Sequence, residues 1–167
     1  MIRWYALYVR SRWEKKVDRE LSRKFVESFL PTVCEKHRWS DRTKVVEEPL
    51  FRGYVFVRLD LRNRLGILET DGVVSIVGIR GKPSPIPEEQ IEWLRILVKH
   101  PDSIHREPKS IVGAKVKITT GPFNGIEGTV IMAKGSTRIA VSIDAIQQSI
   151  IVDVSGDSIE PVEGVDN

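Results

Sequence analysis

A single cysteine, Cys34, in 167 residues excludes an internal disulfide framework and cannot supply a multi-cysteine zinc site. Long apolar runs are also missing: no stretch approaches the roughly 18 residues a membrane helix needs. The start, "MIRWYALYVRSRWEKK", has a short apolar segment but no long hydrophobic region and no small-residue cleavage site. The expectation is therefore a cytoplasmic protein with no membrane partner. Charge of one sign is scarce as well. Lys and Arg total 26 against 23 Asp and Glu, a net +3, which is compatible with nucleic acid without requiring it.

Catalytic signatures are equally sparse. The stretch "GPFNGIEGTV" packs Gly121, Gly125 and Gly128 closely, yet no Lys follows a glycine and Thr129 and Val130 continue a strand. A phosphate loop needs Gly-Lys-Ser/Thr ahead of a helix, so that backbone amides and the helix N-terminus converge on the anion. The dinucleotide spacing Gly-x-Gly-x-x-Gly fails too. These glycines read as turn residues, with Gly125 and Gly128 allowing positive φ and close backbone approach. Cys34 and His37 lie three apart, which on a strand sends them to opposite faces, so the reading is a small half-buried cysteine and a surface histidine. His100 and His105 have no carboxylate or cysteine spaced for a metal. Asp60, Asp71, Glu88 and Glu89 follow strands or open helices, where acids serve as caps. No enzyme, cofactor or metal is expected.

What is present divides the chain. "KHPDSIHREPKS" carries two prolines and alternating charge, as an exposed linker does. The expected organisation is a domain over 1–99, a linker over 100–110 and a second domain over 111–163. "WYALYV" is apolar at every position, as in a strand covered on both faces. In "SRWEKKVDRELSRKFVESF", Trp13, Val17, Leu21 and Phe25 recur every fourth residue, with Val26 and Phe29 widening the stripe. Ser11 and Glu14 fit a capping box at its start, and Lys15, Arg19 and Lys24 face solvent. Two strands then join at a polar tip near Ser40 and Asp41, and "GYVFVRLD" alternates. A short helix around 62–69, a strand "GVVSIVG" and a helix opened by Pro87, with Ile91, Leu94 and Val98 on one side, complete an α+β sandwich. Beyond the linker, "AKVKIT", "GTVIMA", "RIAVSI" and "SIIVDV" are short β-branched segments between turns, the pattern of a small β-barrel.

Two surfaces carry the functional signal. The tip sets Lys36, Arg38, Arg42 and Lys44 around Trp39, and their shared parity suggests one basic edge beside an aromatic, suited to single-stranded nucleic acid. The plainer reading is a charged tip that resists edge-to-edge pairing. Tyr54 and Phe56 share the sheet face opposite Val55, Val57 and Leu59, and Tyr8 can join them from a neighbouring strand. Uncovered, that aromatic face marks a protein-docking patch; alternatively the helix at 87–98 covers it.

In order, "WYALYV", the following helix, "EPLFRGYVFVRLD", "DGVVSIVG" and "GKPSPIPEEQI" resemble the N-terminal (NGN) domain of the NusG family of transcription elongation factors. "VGAKVKITTGPFNGIEGTVI" is similar to the family's KOW module, a small SH3-like barrel whose turn here is Gly121, Pro122, Phe123, Gly125 and Gly128. The resemblance implies a monomeric, non-enzymatic factor that docks on the clamp helices of the RNA polymerase β′ subunit and reaches the β subunit. It would hold the clamp closed and suppress pausing. Tyr8, Tyr54 and Phe56 match the docking-pocket positions. In specialised members the N-terminal domain also touches the non-template DNA strand, which makes residues 36–44 the candidate contact for that strand or nascent RNA. The KOW module of the family recruits a small-subunit ribosomal protein or Rho.

Two departures stand out. The family's Phe-Gly-Arg stretch is replaced by Asp144, Ala145 and Ile146, which weakens the expected grip on Rho. "RWSDRTKVVEEPLF" is similar to the specialised antiterminator branch (RfaH, UpxY, LoaP), although RfaH's His-Thr-Thr signature is absent. The competing class is a ribosome- or RNA-binding KOW protein, against which the few Lys and Arg of 111–163 argue.

Overall fold

The structure, a computed structural model, describes residues 1–106, 113–133 and 136–162. The chain forms two compact units, Met1–Ile91 and Glu92–Asn167. This division differs from the 99/100 boundary expected from composition. Ile104–His105, read as linker, is a strand of the second unit. The rest of the expected linker, 107–110, lies outside the described residues, as do 111–112 and 163 of the expected second domain.

In the first unit, strands β1 (Ile2–Val9), β2 (Glu27–Phe29), β5 (Tyr54–Asp60) and β6 (Val73–Ile76) form an antiparallel sheet in the order β2-β5-β1-β6. β3 (Thr32–Arg38) and β4 (Thr43–Pro49) make a separate hairpin, and β7 (Gly78–Ile79) with β8 (Lys82–Pro83) a small one. Register sets Tyr5 opposite Val57 and Leu7 opposite Val55, so one sheet face is apolar and, Tyr5 apart, aliphatic. It packs with Val17 and Leu21 of helix α1 (Glu14–Arg23) and Ile67 of α2 (Arg64–Leu68) in one core. Each such buried side chain contributes about 1.5–3 kcal/mol. Among the described residues no helix is long and apolar enough to cross a membrane.

α1 is shorter than the apolar stripe suggests. Val26 N–H donates to the Leu21 carbonyl at 3.0 Å and Phe25 N–H to Ser22 at 3.1 Å, the two bonds of a Schellman ending. Phe25 takes the left-handed position (φ +59) and is 98 % exposed, so it leaves the stripe. Glu27–Phe29 then pairs with β5 instead of continuing the helix. The capping box does not form either. Arg12 turns left-handed (φ +66), the N-cap is Trp13 without a side-chain bond, and buried Glu14 accepts the Gly53 N–H at 3.0 Å. Lys15, Arg19 and Lys24 are exposed as expected. Asp60 does cap its short 3₁₀ turn, accepting from Arg62 N–H at 3.0 Å. Side-chain and backbone hydrogen bonds from Arg62 hold its carboxyl well below the usual carboxylate range.

Helix α3 (Glu88–Leu97) follows Pro87 and spans the division between the units. Ile91 and Leu94 are buried as expected, with Leu97 rather than Val98 as the third fully buried position. The second unit is an antiparallel sheet of β9 (Ile104–His105), β10 (Lys115–Ile118), β11 (Glu127–Ala133), β12 (Ser136–Ile143), β13 (Gln148–Val154) and β14 (Ile159–Pro161), ordered β14-β10-β11-β12-β13-β9. Ile139 lies opposite Val152 and Val141 opposite Ile150, all buried.

The glycine stretch is the turn between β10 and β11. Gly121 (φ +80) and Gly125 (φ +93) are left-handed, Gly125 N–H donates to the Ile118 carbonyl at 2.8 Å, and Phe123 tucks inward. Gly128 serves close approach: a Cβ there would sit 2.4 Å from Ile139 Cγ2 and 2.5 Å from the Ala140 carbonyl oxygen. Backbone cannot yield as a flexible side chain can. Gly128→Ala is therefore expected to cost at least about 1–3 kcal/mol, read as a lower denaturation midpoint. An unchanged midpoint would refute the close packing of these strands.

Candidate functional site

The tyrosines of β1 and β5 sit at one end of the sheet. Tyr8 and Tyr54 are directly opposite in register, with ring centroids 5.8 Å apart and planes tilted by 57°. Tyr8 is 46 % exposed and Tyr54 half-buried. Gly53 (φ +87) fits beside the Tyr8 ring, its virtual Cβ 3.5 Å from Tyr8 Cε2. Together the tyrosines line an open cavity of about 400 Å³ with Ser75, Ile76, Val77, Gly78 and Gly81. Val74 and Ile79, on the same segment, are exposed apolar residues outside the cavity lining.

Phe56, two residues along β5, is not part of that surface. It is fully buried, with Phe29 stacked at 6.4 Å and Phe51 edge-on at 6.1 Å. Trp4 and Ala6 on the same face are buried too, and Trp4 bridges to Ile86. The uncovered aromatic face expected from alternation is thus confined to its tyrosine end. Parity fixes which face a residue points to, but not where along the strand that face is covered. The side of the cavity formed by Ser75, Ile76, Val77, Gly78 and Gly81 went unrecognised in the sequence.

A second cavity, about 700 Å³, adjoins Tyr8 on another side and is bounded by the start of α1, the hairpin base and Arg52. Arg12, Lys15 and Arg52 bring cations to it, and Glu14 and Glu48 bring carboxylates. His37 lies there too, its Nε2 3.6 Å from Glu48 Oε1 and 3.7 Å from Glu35 Oε2. Cys34 sits opposite Glu47 and His37 opposite Lys44, which puts the thiol and imidazole on opposite faces of the hairpin. Their burial is the reverse of that expected: Cys34 is exposed and His37 half-buried.

The hairpin register also divides the basic tip. Lys36 pairs with Val45 and Arg38 with Thr43, whereas Lys44 pairs with His37. Directly opposed residues share a face, so Lys36 and Arg38 lie on one side and Lys44 on the other. Equal parity across a turn does not ensure a common face, because the turn length resets the count. Trp39 is 50 % exposed, with Arg42 Cζ 5.7 Å and Lys44 Nζ 5.5 Å from its ring centroid. The single basic edge of five residues is therefore an indole flanked by two cations, with the other two cations behind it.

An α+β unit with a tyrosine-lined end and a basic hairpin is followed by a mainly β unit with a glycine-built turn, a fold of the NGN plus KOW-like type. The family profile described as "Transcription termination factor nusG" matches residues 2–95. The chain belongs to the NusG family. It is similar to the transcription termination/antitermination protein NusG of Helicobacter pylori strain J99, 31 % identical over 78 % of this chain and 81 % of the relative. The protein of the same name from Lactococcus lactis strain IL1403 is 25 % identical, covering 96 % and 93 % of the two chains. In fold it is similar to a solved Thermotoga maritima NusG, with a TM-score of 0.57, 21 % identity and 98 % of each chain covered.

Proposed function

We propose that this chain is a transcription elongation and antitermination factor that binds RNA polymerase without catalysing a reaction. The Tyr8–Tyr54 end of the first unit receives the tip of the β′ clamp helices, and the factor reaches the β subunit across the cleft. The observation that supports this reading is a register-paired tyrosine couple, Tyr8 exposed and Tyr54 half-buried, at the mouth of an open cavity. Aromatic side chains of this kind supply large contact area at low conformational cost. Holding the clamp closed then follows from tighter binding to the closed state, since a ligand shifts an equilibrium only by its differential affinity. The factor works as a monomer in the cytoplasm. The test is single-round transcription through a pause site: added protein should shorten pauses, and unchanged pausing at saturating protein would contradict the proposal.

The specialised antiterminating role is favoured over the housekeeping one by the 3₁₀ turn Asp144–Ile146. It exposes Asp144 and buries Ile146, so no aromatic is offered where the family's KOW module grips Rho or the ribosomal protein. The housekeeping reading draws on the names of the relatives. Stimulation of Rho-dependent termination by added protein would decide for it.

Trp39, Arg42 and Lys44 form the nucleic-acid contact, to non-template DNA or nascent RNA. Stacking a base on an exposed aromatic is worth about 1–3 kcal/mol. Trp39→Ala is therefore expected to weaken binding of a single-stranded oligonucleotide roughly tenfold by fluorescence anisotropy, while Lys36→Ala with Arg38→Ala weakens it less. Equal losses from the two faces would reduce the tip to a non-directional positive charge.

A further inference from the structure

Tyr8 is shared by two cavities of the first unit. One is the opening beside Tyr54; the other, about 700 Å³, lies between the start of α1 and the base of the β3–β4 hairpin. Its volume falls within the range of small-molecule sites. Arg12 and Lys15 reach it from the beginning of α1, and Arg52 from the turn before β5. All three are exposed, and among the described residues none of them has a carboxylate within ion-pair range.

The two carboxylates of the lining already have partners. Buried Glu14 accepts the Gly53 N–H at 3.0 Å, and Glu48 Oε1 lies 3.6 Å from His37 Nε2. The three cations are thus left to an anion from outside. Arg12 is also held left-handed, at φ +66, a conformation that residues with a side chain rarely adopt. Glycine would sit there at lower cost, so this position keeps a cation against its backbone preference.

Charge alone would suit any polyanion, but the rest of the wall narrows the class. Tyr8, 46 % exposed, presents an aromatic ring on which a planar base can stack. Glu48 and His37 offer polar groups to the edge of such a base. We propose that this cavity binds a free nucleoside polyphosphate, with its phosphates among Arg12, Lys15 and Arg52 and its base beside Tyr8. Arginine meets phosphate oxygens through two parallel N–H bonds, and lysine adds a point charge. Trp39, Arg42 and Lys44 are not part of the lining, so the site is separate from the strand contact at the hairpin tip. Because Tyr8 also lines the docking cavity, a bound base would oppose clamp docking. That consequence rests on the docking proposed above; nucleotide binding itself does not, and is measured without polymerase.

The test uses the full chain with the fluorescent nucleotides mant-ATP and mant-GTP, read by anisotropy. Saturable binding is expected with at least one of them. The unlabelled triphosphate should displace it at a concentration at least about tenfold lower than the monophosphate, which engages fewer cations. Arg52→Ala and Arg12→Gly should each weaken binding about tenfold or more, the usual effect of losing a hydrogen bond to a charged group. Arg12→Gly suits the left-handed backbone, so its denaturation midpoint should not fall, which separates lost binding from lost folding. Arg3→Ala, which removes an exposed cation outside the cavity, should bind as the unaltered chain does. Absence of saturable binding would overturn the proposal. Displacement by inorganic tripolyphosphate as readily as by the nucleoside triphosphate would do the same, leaving an adventitious anion site only. An equal loss in Arg3→Ala would reduce the effect to diffuse charge, and tighter binding of a 5′-phosphorylated hexanucleotide would assign the cavity to a strand end; either result also overturns it.

Discussion

Phe56→Ala is expected to lower the stability of the first unit by about 3–5 kcal/mol, the usual cost of removing a fully enclosed phenyl ring from a packed interior. Phe56 has no exposed surface and touches Phe29 of β2 and Phe51 of the preceding loop. Its removal leaves a cavity that three strands' worth of fixed backbone cannot collapse into. Chemical denaturation reads the change directly. A loss below about 1 kcal/mol would mean that this face is looser than its burial implies. Weakened polymerase binding by this variant would reflect the lost support for β5, not a lost contact.

The double variant Tyr8→Ala, Tyr54→Ala is expected to behave in the opposite way. Both rings lie at the open end of the sheet, so their removal should leave the core cluster and the denaturation midpoint nearly unchanged. Polymerase affinity should fall at least about a hundredfold, because two central aromatic anchors at about 1.4 kcal/mol or more each reach that factor. Coupling between the rings, 5.8 Å apart, makes the double loss differ from the sum of the single ones. Unchanged affinity in a folded double variant would remove the tyrosine pair from the docking surface.

Both results turn on a distinction that alternation alone does not carry. The period-2 pattern of "GYVFVRLD" correctly separated Val55, Val57 and Leu59 from Tyr54 and Phe56, because every second residue of a strand shares a face. Whether a given stretch of that face is roofed depends on residues distant in sequence. Phe29, which stacks on Phe56 from β2, is such a residue, while Phe51 reaches it only through the turn that precedes β5. The longer strands were legible for a different reason: β-branched runs between Gly, Pro and Asp turns encode local conformation.

The end of α1 was not legible. An apolar residue every fourth position continued through Phe25, and left-handed C′ positions ordinarily carry glycine. Nothing local signals that Phe25 occupies one, exposed, while the next residues leave for the sheet. The basic tip failed differently. The face of each residue depends on the turn joining β3 and β4, and that register brought Lys44 and Arg42 to Trp39 and sent Lys36 and Arg38 behind it. Ile104–His105 was hidden by its composition, since two residues between charged and proline positions look like linker until β13 is beside them.

The most direct test of polymerase docking is an affinity titration of the purified chain against core RNA polymerase, with and without an excess of isolated β′ clamp-helix fragment. The expected result is saturable binding that the fragment competes away. Absence of saturable binding at moderate salt, or binding the fragment leaves untouched, would contradict docking on the clamp helices.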